Sequence, residues 1–232
     1  MKDGIVIMIK KLYHGSVNII EKPEFGLGKS YNDYGSGFYC TEIQDMAKEW
    51  GVSRNKSGYA NSYELECDGL NILNLNDNNY NILHWLSILI QNREFDSPSV
   101  LANEAKDYLK KEFYIDINMY DAITGYRADD SYFSFAQDFL NGTISVRQLN
   151  NAMHLGKMGQ QFVLKSKKAF DLINFTGYEI ADCREWYEKK HQRDLMARRE
   201  YFNREKMRRQ KGDIYIIQIL DEEMRQDDTR LR

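Results

Sequence analysis

Two glycine-containing motifs near the start of the chain hold residue types suited to ligand chemistry. In the first, His14 and Gly15 end an apolar run, residues 5–13, that is typical of a strand. The imidazole can form hydrogen bonds, and the glycine leaves its backbone N–H and C=O open to a flat ligand. In the second, residues 33–41, a glycine-rich turn leads into an aromatic strand that contains Tyr39. Together the motifs predict the floor of a pocket for a flat ligand.

The elements that must position these motifs predict an α+β fold. After the aromatic strand, Thr41 and Gln44 have the spacing of a helix capping box, and Gly51 stands where that helix would end. The loop of residues 17–29 is expected to lie over a ligand. Periodicity and turn residues predict further strands over 59–67, 70–75, 120–130, 161–164 and 213–220, and helices over 80–92, 99–113, 131–141, 145–155 and 168–173.

The order of the motifs resembles that of a known enzyme family. His-Gly-Ser at 14–16, Tyr-Gly-x-Gly-Phe-Tyr at 34–39 and a helix with Ala-Lys-x-Trp at 47–50 resemble the NAD-binding core of the poly(ADP-ribose) polymerase-like ADP-ribosyltransferases. The resemblance covers residues 11–175, with a loose match in the middle. It implies an ADP-ribosyltransferase-type split β-sandwich with inserted helices.

The resemblance also implies a set of site residues. The family carries a His-Tyr-Glu triad on three strands, and here Gln161 takes the place of Glu, as in a bacterial His-Tyr-Gln branch. The implied triad is His14, Tyr39 and Gln161. His14 would bond the adenosine-side ribose, Gly15 the nicotinamide amide, and Gln161 the 2′-hydroxyl of the reacting ribose, while Tyr39 and Trp50 would flank the nicotinamide ring. The implied contacts to NAD are His14, Gly15, Ser16, Tyr39, Trp50 and Asp130.

Gln161 is the departure from the family pattern. An amide keeps a hydrogen bond but has no charge and cannot act as a general base. Chain elongation is therefore not expected, whereas single transfer, NAD hydrolysis and NAD binding remain open. Asp129 and Asp130 would supply the missing carboxylate if their loop reaches the pocket; otherwise they form a turn and a helix N-cap. Tyr39 and Trp50 are alternatively core aromatics.

Composition narrows the class of protein. The chain has 232 residues with 32 Lys and Arg against 35 Asp and Glu, a net charge of −3 that does not call for a nucleic-acid partner. It lacks an apolar run of about 18 residues, the length that a membrane span needs. Three unevenly spaced cysteines exclude a disulfide scaffold and disfavour a zinc site. A cytoplasmic location without membrane contact is expected.

The domain prediction is one domain over residues 1–232. Residues 76–115 read as a helical insertion, and residues 182–232 as a C-terminal helical extension followed by a strand. The basic stretch 184–211 has acidic residues interleaved, which favours a solvated face over a nucleic-acid site.

The resemblance implies an NAD-dependent mono-ADP-ribosyltransferase of the toxin or conflict-system kind. NAD would be its substrate, and the acceptor an unidentified macromolecule, a protein in preference to a nucleic acid. A small antitoxin is a compatible partner. The alternatives are an inactive module that binds an NAD-like ligand or a partner, and an NAD glycohydrolase.

Overall fold

The computed structural model describes residues 8–95, 99–128, 130–157 and 159–231, apart from the side chains of residues 130, 131 and 157. About 42% of the chain is helix and 21% is strand, which makes the fold α+β. The strands are β1 (Ile9–Ser16), β2 (Phe38–Cys40), β3 (Gly58–Glu66), β4 (Ile72–Asn74), β5 (Ala122–Tyr126), β6 (Gln160–Leu164) and β7 (Ile173–Ala181). The helices are α1 (Gln44–Gly51), α2 (Ile82–Asn92), α3 (Val100–Glu112), α4 (Asp130–Leu140), α5 (Val146–Ala152), α6 (Lys167–Asp171), α7 (Cys183–Glu200) and α8 (Ile216–Asp221).

The strands form two open sheets. One has the order β1-β3-β7 with antiparallel pairs, and the other has the order β2-β6-β5-β4, in which only β4 and β5 are parallel. Edge strands β1 and β2 meet through a backbone bridge. Tyr13 N–H donates to Thr41 O (2.8 Å), and Thr41 N–H donates to Tyr13 O (2.9 Å). The bridge brings the end of β1 beside β2.

Alternation along the strands separates the two largest apolar clusters of the described residues. Side chains at alternate positions of β1, β2, β3 and β6, such as Leu12, Phe38, Tyr63 and Phe162, form one cluster between the sheets. The opposite face of the second sheet, including Val163, packs into a larger cluster with helices α2 to α5. Successive residues of β6 therefore face the other sheet and the helical layer in turn.

The start of α1 differs from the predicted capping box. The helix has Ile43 at its N-cap without a side-chain cap, and Thr41 Oγ1 instead accepts from the N–H of Ile43 (3.2 Å). The carbonyl oxygen of Thr41 accepts from Tyr13 in the bridge to β1, and the helix takes the carbonyl oxygen of Ile43 as an acceptor instead. Gly51 is the last helical residue rather than a cap. A side chain there would contact the carbonyl oxygen of Tyr59 at 2.9 Å, so the glycine permits close packing on β3.

The C-terminal strand predicted over 213–220 is wrong, since the segment contains helix α8. Ile216 and Ile219 are fully buried, whereas Ile217 is 53% exposed. That spacing is helical, and tertiary packing has overridden the strand preference of β-branched residues. Strand β7 is an addition that the sequence analysis lacked. Its bulge opposite Ser62 and Tyr63, and its exposed face, weaken the alternation that marks a strand.

The remaining elements agree with the sequence to within a few residues. Strands β1, β3 and β6 and helices α2, α3 and α4 each lie within or beside their predicted ranges. The basic stretch forms α7, which continues as a π-helix over Tyr201–Lys206. Over the ranges that the structure describes, none of the helices combines the length and apolarity required to cross a membrane.

Candidate functional site

A cleft of about 1280 Å³ opens where β1 ends beside β2. Its walls come from the end of β1, the following loop, the turn before β2, the end of α1, the start of β6 and one face of α7. Six of the residues that the sequence assigned to a site line the cleft: His14, Gly15, Ser16, Tyr39, Trp50 and Gln161.

His14 has a defined proton arrangement. Its Nδ1 lies 2.7 Å from the carbonyl oxygen of Tyr39, which can only accept, so Nδ1 carries the proton and donates. The ring stacks on Phe38 with 4.4 Å between centroids. Burial lowers the pKa of His14, which favours the neutral imidazole near pH 7. Nε2 is then a hydrogen-bond acceptor, as a ribose hydroxyl would require.

Gly15 and Ser16 have local structural roles beside the cleft. A side chain on Gly15 would collide with the backbone of α1 at Ala47 and Gly51, so the glycine lets α1 pack directly on β1. Ser16 Oγ accepts from the N–H of Asn18 (3.0 Å) and donates to its carbonyl oxygen (2.5 Å). The hydroxyl thereby shapes the first turn of the loop that lines the cleft.

Tyr39 ties the glycine turn to β2. Its hydroxyl donates to Gly35 O (2.6 Å) and accepts from the N–H of Tyr34 (3.0 Å). Gly35 has a φ of 69°, a left-handed conformation that favours glycine. Burial raises the pKa of Tyr39 far above its usual range, so the phenol stays neutral. The hydroxyl is committed to the turn, which leaves the ring as the part of Tyr39 that a ligand would meet.

Gln161 lies on the same face of the second sheet as Tyr39. Tyr39 is paired with Val163, and Gln161 is two residues away on β6, so the period-two rule puts the three side chains together. Gln161 is 5% exposed, whereas Gln160 is exposed and accepts from Thr124 Oγ1 (3.2 Å). The cleft is therefore lined by Gln161 and not by Gln160.

The amide of Gln161 has one paired end and one unpaired end. Nε2 donates to Asp33 Oδ2 (3.2 Å), while Oε1 is buried without a hydrogen-bond partner in the part of the chain that the structure describes. A buried unpaired acceptor costs about 1–3 kcal/mol. A ligand with a hydroxyl or N–H group in the cleft would satisfy it.

Asp33 is the carboxylate that the sequence analysis missed. It is 5% exposed and receives three hydrogen bonds, from Gln161, from Arg93 Nη1 (2.9 Å) and from the N–H of Ala128 (2.8 Å). Asp33 belongs to the second glycine motif, but 128 residues separate it from Gln161, and no local spacing rule joins such positions.

Of the two carboxylates that the sequence favoured, Asp129 lies outside the described residues. Asp130 begins α4, and its side chain lies outside them too.

Trp50 faces a cation inside the cleft. The guanidinium of Arg127 lies 4.5 Å from the centroid of its ring, a cation–π distance. The indole Nε1 is buried and has no hydrogen-bond partner among the described residues. One ring face of Trp50 is thus covered by Arg127, so stacking of nicotinamide on Trp50 would need the other face or a shift of Arg127.

Comparison with known proteins places most of the chain in a family. The sequence profile of DUF3990, a family described as a protein of unknown function, matches residues 10–175. The chain belongs to the DUF3990 family. No curated protein and no solved structure matches it. The family segment includes Asp33 and all three predicted triad residues, and it ends inside β7.

Helix α7 lies beyond the DUF3990 segment, yet it forms one wall of the cleft. Most of α7 is exposed, as expected of a solvated basic stretch, but one of its faces lines the cleft. Side chains spaced three or four residues apart along one helical face line the cleft: Tyr187, Lys190, His191, Asp194 and Arg198. That spacing was the signal available in the sequence. An adjoining side of the helix is anchored by Arg193, whose Nε donates to buried Glu49 of α1 (3.0 Å).

The cleft is cationic in a chain whose net charge is negative. Three acidic residues and six Lys or Arg residues line it, the latter being Lys22, Lys29, Arg93, Arg127, Lys190 and Arg198. Asp33 offsets Arg93 directly. An excess of positive charge in a concave site raises the local concentration of anions. The arrangement suits a ligand that carries phosphate groups.

Proposed function

We propose that the cleft binds NAD and that the protein is an NAD-dependent mono-ADP-ribosyltransferase. The observation that carries this proposal is the convergence of His14, Tyr39 and Gln161 from β1, β2 and β6 on one cationic cleft, with the amide oxygen of Gln161 unpaired. The ribose hydroxyls of NAD match the acceptors on His14 and Gln161, and its flat nicotinamide ring matches the aromatic ring of Tyr39. Its diphosphate matches the Lys and Arg side chains of the cleft.

The reaction would break the bond between nicotinamide and its ribose. The bonding electron pair leaves with the nicotinamide nitrogen, which becomes neutral, and the ribose carbon gains oxocarbenium character until a nucleophile of the acceptor attacks it. Gln161 Oε1 would accept a hydrogen bond from the 2′-hydroxyl of this ribose. His14 Nε2 would accept from the adenosine-side ribose, and the cations of α7 and Arg127 would hold the diphosphate. Fixed positions of this kind lower the barrier mainly through orientation.

The relation between the sheets supports an ADP-ribosyltransferase-type split sandwich as part of the proposal. Two open sheets face each other through one apolar cluster and are joined at the edge by the bridge between Tyr13 and Thr41. Three motifs that lie far apart in sequence end at this junction. The macromolecular acceptor, the small antitoxin partner and the cytoplasmic location belong to the same proposal.

One observation favours an inactive binding module as the second candidate. Asp33, the carboxylate beside Gln161, forms a salt bridge with Arg93 (2.9 Å), so its charge is largely compensated. A compensated charge gives little stabilisation to an oxocarbenium ion. NAD hydrolysis is the third outcome, in which water takes the place of the acceptor nucleophile.

The test separates these candidates through two measurements on one protein. Calorimetry with NAD reports binding, and nicotinamide release with and without cell lysate reports cleavage and its dependence on an acceptor. The transferase predicts ADP-ribose attached to a macromolecule, whereas a glycohydrolase releases nicotinamide equally without lysate, and a binding module gives binding alone. Gln161→Ala should lower affinity or rate by about 10- to 100-fold, the equivalent of about 1–3 kcal/mol.

The matched control is Gln160→Ala at the first position of β6, where the side chain is exposed, and it should leave both measurements unchanged. Absence of NAD binding at millimolar ligand by the unmodified protein would refute the proposal.

A further inference from the structure

We infer that Asp33 is a positioning residue, which holds the amide of Gln161 so that its oxygen, rather than its nitrogen, faces the ligand. The inference deepens the proposed function and rests on it for the identity of the ligand. It explains why this site has glutamine where the resembled family has glutamate.

The first step is that the Asp33 carboxylate accepts hydrogen bonds from three donors. Oδ1 accepts from Arg93 Nη1 (2.9 Å), and Oδ2 accepts from the N–H of Ala128 (2.8 Å) and from Gln161 Nε2 (3.2 Å). An ionised carboxylate can only accept hydrogen bonds. If the amide of Gln161 were turned over, its oxygen would face Asp33 with no proton between them.

The second step is the rigidity of Asp33 itself. Arg93 also donates to the carbonyl oxygen of Ala128 (2.7 Å), and its guanidinium lies 4.6 Å from the ring centroid of Phe133. The turn after Asp33 is held by Lys165, whose Nζ donates to the carbonyl oxygens of Tyr34 and Ser36 (2.6 Å each). The carboxylate is thus fixed before any ligand arrives, as a positioning group must be.

The consequence is a rule for the ligand. Because Oε1 is the atom left unpaired, the group that meets Gln161 must donate a hydrogen bond, as a hydroxyl does. A glutamate at this position would bring a second carboxylate against Asp33 without a donor between them, and the repulsion would be severe in a buried site. Glutamine is therefore the residue that the pair requires.

The first experiment measures selectivity for the hydroxyl group. Dissociation constants are measured for NAD and for an NAD analogue whose nicotinamide ribose lacks the 2′-hydroxyl. The unmodified protein should prefer NAD by at least about tenfold. Asp33→Ala lets the amide of Gln161 rotate and should bring the ratio of the two dissociation constants towards one. Asp33→Asn can still offer an oxygen to Gln161 Nε2 and should restore part of the ratio.

Arg93→Lys is the control for a purely structural role of Asp33. It disturbs the same carboxylate at Oδ1 without touching the bond to Gln161. It should weaken binding of both ligands alike and lower the ratio of the two dissociation constants much less than Asp33→Ala does. If Asp33→Ala keeps the full ratio, or if Arg93→Lys lowers it as much as Asp33→Ala does, the inference is overturned.

The second experiment needs no ligand and keeps the inference testable if the Asp33 variants do not fold. In Gln161→Glu the introduced carboxyl group can bond Asp33 only when protonated, so its pKa in the folded state should rise above the unfolded value of about 4.3. A raised pKa gives stability that is present at low pH and lost as pH rises through the folded value. The variant should therefore melt progressively below the unmodified protein as pH increases from about 4 to 8.

Gln160→Glu is the matched control, since it adds the same charge at the exposed first position of β6. The difference in melting temperature between Gln160→Glu and the unmodified protein should not grow with pH. If the melting temperatures of the two variants depend on pH in the same way, the inference is overturned without any measurement on a ligand. Failure of NAD to bind the unmodified protein, with the pH difference present, would instead refute the proposed function and leave the placement of Asp33 intact.

Discussion

The attachment of α7 to the rest of the protein gives the sharpest stability prediction. Glu49 of α1 is 4% exposed and accepts from Arg193 of α7, whose side chain is 15% exposed. This ion pair joins a helix of the DUF3990 segment to the helix that completes the cleft beyond that segment. Glu49→Gln keeps the shape of the side chain and removes its charge, so Arg193 is left without a counter-ion.

The magnitude follows from the burial of the pair. Removing one partner of a buried salt bridge costs about 3–5 kcal/mol. Water reaches part of Arg193, and the amide oxygen still accepts one hydrogen bond, so about 2–3 kcal/mol is the expected loss here. At about 2–4 °C per kcal/mol for a chain of this size, the melting temperature should fall by about 4–12 °C. Affinity for NAD should fall as well, because α7 carries part of the cationic wall.

Thermal unfolding followed by circular dichroism measures the first effect, and calorimetry with NAD the second. The matched control is Glu185→Gln, which breaks an exposed pair between Glu185 and Lys189 on the same helix. Exposed pairs of this spacing contribute about 0.3–0.5 kcal/mol, so its melting temperature should change by less than about 2 °C. Equal melting temperatures for the two variants would refute the view that Glu49 anchors α7.

Three further predictions test the turn, the histidine and the last helix. Tyr39→Phe removes the bonds to Gly35 O and from the N–H of Tyr34, and should destabilise the protein by about 1–3 kcal/mol while nicotinamide-type ligands still bind, measured by melting and calorimetry. Burial lowers the pKa of His14, so the folded state binds fewer protons than the unfolded state, and stability should be lost as pH falls below about 6.5. His14→Gln should reduce that loss in a pH series of denaturant unfolding. Part of the loss should remain, because burial also lowers the pKa of His84. Ile219→Ala should cost about 2–5 kcal/mol and Ile217→Ala less than about 0.5 kcal/mol, because only the former is buried; equal losses would contradict the helical assignment of this segment.

Local patterns in the sequence predicted the elements whose signals are themselves local. Helix α2 is an example, because the apolar residues over 80–92 recur at helical spacing, although its cap, Asn81, lies inside the predicted range. The strand of His14 was likewise predicted from its apolar run, whereas the choice of Gln161 came from the resemblance to the family pattern. Those signals extend over a few neighbouring residues, and tertiary packing leaves the elements that they predict unchanged.

The parts that sequence reasoning lacked depend on contacts between distant segments. Asp33 meets Gln161 across 128 residues, through a turn that Lys165 and Tyr39 hold in place. Helix α8 has the composition of a strand and becomes a helix because Ile216 and Ile219 reach the main core. The cleft face of α7 follows from its docking through Arg193. In each case the tertiary contact, rather than the residue's own preference, determines the outcome.

The division of roles between Gln161 and Asp33 bears on the kind of transfer proposed. A glutamate in the resembled family both grips the ribose hydroxyl and places a negative charge beside the reacting carbon. Here the atom that would accept from the ribose hydroxyl is the neutral amide oxygen of Gln161. The carboxylate of Asp33 is bonded to the nitrogen of the same amide and is paired with Arg93. Elongation of an ADP-ribose chain needs a base for the incoming sugar hydroxyl, which neither group can supply in this arrangement. An acceptor that brings its own strong nucleophile needs no such base, so we expect single transfer to a macromolecular side chain and no polymer.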